Sequence, residues 1–394
     1  MHSSRVSSST PVISTPDELA AIASQVRTSE ALGIDTEFLR ERTYRAELCL
    51  LQLTTPRGPV CIDPLALPEL GPLAALLGAR ATAAPTDQPA AEPAPRPAAV
   101  IDSRPAVPLK VLHAARQDLE VLFPIVGLVE PVFDTQVAAA LAGFPSQVGY
   151  AELVRRILGH ELPKAHTRTD WSRRPLSAEQ IEYALDDVRY LLPLRDALLE
   201  SLQRLGRRAW LDEELRELGD LVGLQPDPSR AWLRLKGLQD LDPGRKALAQ
   251  SLAAWRERRA IAKNRPRGWI LDDVALREIV NRVPRDRAAL AQVPELQEGI
   301  VRHSGDEILE MVAAAGIDEP PPPLPRRERP DPAFTALVRR LGEVVQRVAG
   351  ELGVAAEVLA TRRDLAQLAR GAQPPAIAEG WRREVIGEKL RAVL

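Results

Sequence analysis

At 394 residues the chain has material for two or three packed domains. Hydrophobic residues make up 45% and charged residues 27%, the composition of folded, soluble protein, and no apolar run approaches the ~18–20 residues that cross a bilayer. A formal net charge of −2 excludes a uniformly basic nucleic-acid coat but leaves room for a local basic surface.

The opening text, MHSSRVSSSTPVIST, has no apolar signal core, so a cytoplasmic chain without a membrane anchor is expected. Residues 31–38, 47–54 and 59–63 read as strands that can form an antiparallel meander, and 67–78 as a helix. The only cysteines, Cys49 and Cys61, fall in this strand-like text and suit neither a disulfide scaffold nor a zinc module, so both are expected in the core. Residues 81–108, with nine Ala and seven Pro, cannot build a core and read as a flexible insertion. Residues 109–114 follow as a short strand, 116–127 as a helix, 133–143 as a helix capped by Asp134, and 149–159 as another helix. Residues 177–205 read as one long amphipathic helix, with Ser177 at its N-cap and Gln180 closing a capping box. A second Pro-rich stretch, 318–332, reads as a linker. The chain therefore parses into an α/β domain over 12–210, a helical domain over 211–317 and a second helical unit over 330–394.

Acidic residues stand in this text where structure alone does not place them. Asp35 and Glu37 interrupt an apolar strand two residues apart, so they share one side of it. Like charges side by side are costly unless a cation neutralises them. Asp118 opens a helix. Tyr183 and Asp187 are four apart on another helix and share a face, whereas Asp186 is turned about a hundred degrees away and is expected to be partly exposed. Each acid alone suits a surface or capping role. Four together, on a strand, a helix start and a helix flank, are better explained by a hard-metal site.

These motifs resemble the ribonuclease D family. Ile34-Asp35-Thr36-Glu37-Phe38 with RERTYRAELCLLQL resembles its first exonuclease motif, and LKVLHAARQDLEVL, with His113 and Asp118, its second. LSAEQIEYALDDVRYLLPL, with Tyr183 and Asp187, resembles its third motif in the tyrosine-bearing subclass. Asp134-Thr135-Gln136 and HTRTDWSRRPLS also look like that family, and the resemblance covers nearly all of 12–205. The departure is the Ala/Pro insertion, which precedes the second motif. The resemblance implies an α/β fold: a ribonuclease H-like exonuclease domain with a mixed sheet, followed by two small all-α HRDC-like domains. SRAWLRLKGLQDLDPGRKALAQSLAAWRERRAIAKNRPRGWILDDVALREIV carries the resemblance of the first helical domain, and LGVAAEVLATRRDLAQLARG with GWRREVIGEKLRAVL that of the second. Trp232 and Trp255 are expected in the core.

The implied activity is 3′–5′ exoribonuclease hydrolysis, releasing nucleoside 5′-monophosphates, with tRNA precursors bearing single-stranded 3′ tails as substrate and a monomeric enzyme. Asp35, Glu37, Asp118 and Asp187 are implied to hold two divalent ions, Mg²⁺ or Mn²⁺, with Asp35 bridging. Tyr183 is implied to orient the attacking water and help remove its proton. Candidate RNA contacts are His113, in a structural or substrate-facing role, with Lys164, Arg168 and Arg173. The stretch 230–270 has eleven Arg or Lys against three acids, and Arg256, Arg258, Arg259, Lys263, Arg265 and Arg267 are its candidates for phosphate contacts. A DNA-directed exonuclease of the same chemistry and a non-catalytic nucleic-acid-binding protein are the rival readings.

Overall fold

The computed structural model describes residues 12–67, 69–78, 107–163, 169–218, 227–238, 241–317 and 331–394. Most of the Ala/Pro insertion and of the second Pro-rich stretch, together with Lys164 and Arg168, lies outside the described residues. The described chain forms two compact units. One comprises the residues up to 38, 48–221 and 330–394; the other comprises 39–47 and 222–329.

In the first unit, β1 (Val12–Ile13) leads into α1 (Pro16–Val26), whose start is set by a Thr15–Glu18 capping box. β2 (Ala31–Leu39), β3 (Glu47–Thr55) and β4 (Gly58–Ile62) follow, then α2 (Gly71–Leu77), β5 (Leu109–Leu112), α3 (Arg116–Val126), β6 (Val132–Asp134), α4 (Thr135–Leu141) and α5 (Tyr150–Leu158). The six strands form one mixed sheet in the order β1-β4-β3-β2-β5-β6. β3 and β4 pair antiparallel, whereas β1–β4, β2–β5 and β5–β6 are parallel. β3 is buried from Leu48 to Thr54, which explains its nearly unbroken apolar text: a central strand is covered on both faces. Cys49 and Cys61 are buried free thiols in this sheet.

Val132–Asp134 pair with β5, and the helix then starts at Thr135 behind the expected Asp134 cap. Three local expectations change. The helix expected from 67 begins at Gly71. The long helix expected over 177–205 is two helices, α6 (Ala178–Arg189) and α7 (Leu191–Arg204), broken at Tyr190. Pro193 explains the break, since it has no N–H for the Arg189 carbonyl and its ring crowds that group. The Tyr150 hydroxyl enters the ladder there, donating to Asp186 O at 3.0 Å and accepting from Tyr190 N at 3.1 Å. Asp186 is buried, not exposed, and pairs with Arg189.

Close approach of α6 and α7 to β2 requires Gly33. A Cβ there would lie 2.8 Å from Thr54 Cγ2, 3.2 Å from the Val188 carbonyl and 3.3 Å from Leu191 Cβ.

The boundary expected at 211 shifts. α8 (Arg208–Leu218) lies in the first unit, where it meets the C-terminal helices that begin with α14 (Pro332–Leu352). Trp210 stacks on Trp381 at 4.4 Å, Glu214 accepts from the Trp381 indole at 2.8 Å, and Arg207 donates to Leu141 O at 2.7 Å and also to Leu352 O. Leu341, Val345, Leu359 and Ile386 share one apolar core with Leu194, Leu198 and Leu211. The segment expected as a separate helical domain is thus packed on the α/β domain.

The second unit contains a 3₁₀ turn (Pro228–Arg234), α9 (Pro243–Lys263), α10 (Arg267–Ile270), α11 (Asp273–Arg282), α12 (Arg287–Ala291) and α13 (Glu298–Ala314). Leu235, Leu248, Leu252, Leu276, Ile279 and Ile308 form its core. Trp232 and Trp255 are only partly buried at its margin. Lys246 lies over Trp232, and Trp255 donates to Glu307 at 2.6 Å.

Candidate active site

β2 carries Asp35 and Glu37, and α6 brings Asp187 against them. One carboxylate oxygen from each of the three lies within 4.8 Å of the others. The 152-residue separation of Asp35 from Asp187 in sequence is closed by the Gly33 contact, which seats the backbone beside Asp187 on the strand that carries Asp35.

Asp118 joins them electrostatically but is not one of that close trio. It sits in the first turn of α3, is buried, and accepts from the Thr36 hydroxyl. The start of α3 is itself held by Asp134. That carboxylate accepts from Ala114 N at 3.0 Å, Ala115 N at 2.8 Å and Gln136 N at 2.8 Å. Ala114 has a φ of 56°, an uncommon conformation for a side chain with a Cβ. Asp134 therefore does more than cap α4: it fixes the turn that aims Asp118.

The acids bear the marks of crowded negative charge. Burial, then Asp118, Asp187 and Glu37, raise the Asp35 carboxyl well above its usual range. Burial, then Asp187 and Asp118, push Glu37 up to about 8. Burial lifts Asp118 to about 7 against the opposing Thr36 hydrogen bond, and Asp187 to about 7 against a hydrogen bond from Tyr183. An all-oxygen donor set with this excess of negative charge fits hard divalent cations.

Tyr183 is held from both sides. Its hydroxyl donates to Asp187, and its ring stacks on buried Trp171 with centroids 6.2 Å apart. Burial, then Asp187, Glu37 and Asp35, raise its pKa.

Trp171 is anchored by a residue that the sequence reading passed over. Arg174 donates to Trp171 O at 2.7 Å, to Cys49 O at 2.7 Å, and to Asp63 through two bonds of 2.6 and 2.7 Å. Its signal in sequence was weak, because nothing in TDWSRRPLS tells Arg174 from Arg173 or points to partners as distant as Asp63 and Cys49.

The expected nucleic-acid contacts divide. His113 is not available for RNA: its Nδ1 meets Thr135 Oγ1 at 2.9 Å and its Nε2 meets Val148 O at 3.0 Å. Burial lowers its pKa. Arg256 is buried and donates to Leu271 O at 3.0 Å and Asp273 at 2.6 Å, so it serves the helical core and not a phosphate. Arg267 is likewise committed, to fully buried Glu257 at 2.5 and 2.7 Å. Arg259 pairs with Glu307 at 2.7 Å. Arg173 is exposed and bonds Asp170 at 3.2 Å; Arg258, Lys263 and Arg265 are exposed on the helical unit.

Residues 11–83 and 104–203 match the family model described as 3′–5′ exonuclease, and 245–312 match the HRDC domain. Fold and site thus define an exonuclease domain joined to an HRDC module. The chain is 38% identical to ribonuclease D of Gluconacetobacter diazotrophicus, over 97% of this chain and 92% of that one. It is 40% identical to ribonuclease D of Jannaschia sp., over 95% and 92%. Its structure superposes on that of Escherichia coli RNase D, described as an exoribonuclease involved in structured RNA processing, with a TM-score of 0.80, 29% identity and 98% coverage of both chains. The chain belongs to the ribonuclease D family. Among the described residues no helix is long and apolar enough to cross a membrane.

Proposed function

We propose that this chain trims single-stranded 3′ tails of structured RNA, tRNA precursors among them, one nucleotide at a time. The observation that carries the reading is the convergence of Asp35, Glu37 and Asp187 within 4.8 Å. Asp35, Glu37 and Asp187 would hold divalent metal, with Asp118 supporting a second ion. Bound there, Mg²⁺ or Mn²⁺ would lower the pKa of the attacking water and offset charge on the leaving 3′ oxygen.

The chain's own groups supply position. Tyr183, tied to Asp187, orients the water for in-line attack on the last phosphodiester. Thr36 and Asp134 set the Asp118 carboxylate. Carboxylates borne on a strand and two helices keep the scissile phosphate in one place. Unstacking the terminal nucleotide of a duplex costs about 1–3 kcal/mol, by analogy with base–aromatic stacking, and no phosphate-binding G-x-x-x-x-G-K-[ST] loop is present to drive unwinding. Trimming should therefore slow at a stem.

A hairpin RNA with a 3′ tail and a 5′ label tests this. The expected record is a ladder descending by single nucleotides and stalling near the stem, with nucleoside 5′-monophosphates released. Asp35→Asn should abolish the ladder and keep much of the RNA affinity. Long internal fragments, digestion straight through a stable stem, a preference for the matched DNA, or turnover by Asp35→Asn at the wild-type rate would each overturn the reading.

A further inference from the structure

We propose that Trp269 is a base-stacking platform on the second unit, taking an unpaired nucleotide of single-stranded RNA whose phosphate meets Arg265. The inference rests on the exonuclease reading and adds a binding residue to it.

The large apolar side chains exposed among the described residues are leucines, valines, one isoleucine and a single aromatic, Trp269, which is 54% exposed. An indole left in water forgoes the burial that usually places Trp in a core or an interface. α9 ends at Lys263, Asn264 turns the chain with a φ of 45°, and Pro266 opens α10. Trp269 N donates to Pro266 O at 2.9 Å, and Leu271 N to Arg267 O at 3.0 Å. Arg267 is clamped on buried Glu257, and Leu271 is fully buried. The turn is thus pinned at two points, and the inward place is taken by Leu271. Trp269 is presented outward on a rigid support, which lowers the entropy lost when a ligand binds.

Charge selects the ligand. The Arg265 guanidinium lies over one face of the Trp269 ring, 5.5 Å from its centroid, and is itself exposed. An exposed indole with a guanidinium over one face matches a nucleotide: the base stacks on the other face and the phosphate meets the guanidinium. An acidic peptide would need the cation but no open indole.

The test is equilibrium binding of the full-length chain to a 5′-labelled oligo(U), read by fluorescence anisotropy with chelator present so that nothing is cleaved. An abasic oligomer of the same length is the control. Trp269→Ala should weaken oligo(U) binding about fivefold or more and leave the abasic oligomer and the salt slope unchanged. Trp269→Phe should retain most of the affinity. Arg265→Ala should weaken binding to both oligomers and flatten their salt dependence.

Wild-type affinity of Trp269→Ala for oligo(U), or an equal loss on the abasic oligomer, would overturn the proposal. So would loss of self-association in Trp269→Ala with RNA affinity intact, which would mark a protein-binding surface. If the wild type trims RNA in Mg²⁺ while Trp269→Ala binds normally, only the platform falls. If the wild type degrades no RNA, the exonuclease reading falls separately.

Discussion

Trp171 lies on Tyr183 with ring centroids 6.2 Å apart and 29° between the planes. The indole closes one side of the phenol whose hydroxyl is tied to Asp187. Trp171→Ala should lower kcat about tenfold or more, since small misplacements at a reacting centre are costly. KM for a short RNA should change less, and Trp171→Phe should recover much of the rate. Single-turnover hydrolysis measures this; an unchanged rate in Trp171→Ala would remove Trp171 from the positioning of Tyr183.

Gly33→Ala alters no carboxylate, yet it should impair the site. The new Cβ meets Thr54 Cγ2 at 2.8 Å and the Val188 carbonyl at 3.2 Å. Relieving that contact moves α6, and with it Asp187, from Asp35. Overpacking of this kind costs about 1–3 kcal/mol. A lower melting temperature together with weaker Mn²⁺ binding by calorimetry is expected. Normal metal affinity would mean that the backbone relaxes without moving Asp187.

Lys110 supplies a pH test away from the carboxylates. It is fully buried in β5, donates to Glu130 O, and burial lowers its pKa from 10.5 to about 7. Between those values the unfolded chain holds a proton that the folded chain has lost, so stability rises with pH across that window. The contribution is at most about 1.4 kcal/mol per pH unit. Urea melts at pH 6.5 and 9 should show the wild type gaining stability relative to Lys110→Met as pH rises. A constant difference would mean that Lys110 keeps its charge in the fold.

Glu257 is the charged centre of the second unit. It is fully buried and accepts from Tyr44 and from Arg267, with Arg234 at 3.1 Å. Glu257→Ala should cost about 1–3 kcal/mol, because it takes the acceptor from Tyr44 and Arg267 together while the arginines left behind are partly exposed. Tyr44→Phe should cost about 1 kcal/mol, one hydrogen bond. Thermal melts compare the two, and limited proteolysis should show earlier cutting in 39–47, the segment that the Tyr44 bond holds. Equal stability of Glu257→Ala and wild type would refute this account of the unit.

Periodicity and local chemistry placed most elements. Alternation and apolar runs located β2, β3, β4 and β5; Ser177 and Asp134 announced their helices; and the ordered acids announced the site before any of them could be shown to meet. What failed locally failed for identifiable reasons. β1 is two residues long, below any pattern. The break at Tyr190 depends on Pro193 and on a tyrosine forty residues away, whose hydroxyl satisfies the opened backbone.

The sequence by itself determined which residues are candidates for the chemistry, because Asp35, Glu37, Asp118, Tyr183 and Asp187 stand where an apolar or solvated residue would otherwise do. Only the tertiary structure decided which polar residues are spent inside the fold. Arg256 and Arg258 are two positions apart in one basic stretch, yet one is buried on Asp273 and the other faces solvent. Charge is written in the sequence, but burial depends on which side of α9 meets its neighbours. The same holds for Arg174 and His113, whose partners lie up to 125 residues away. Long-range packing assigns a side chain its partners, and those partners decide whether it can act on a ligand or only holds the protein together.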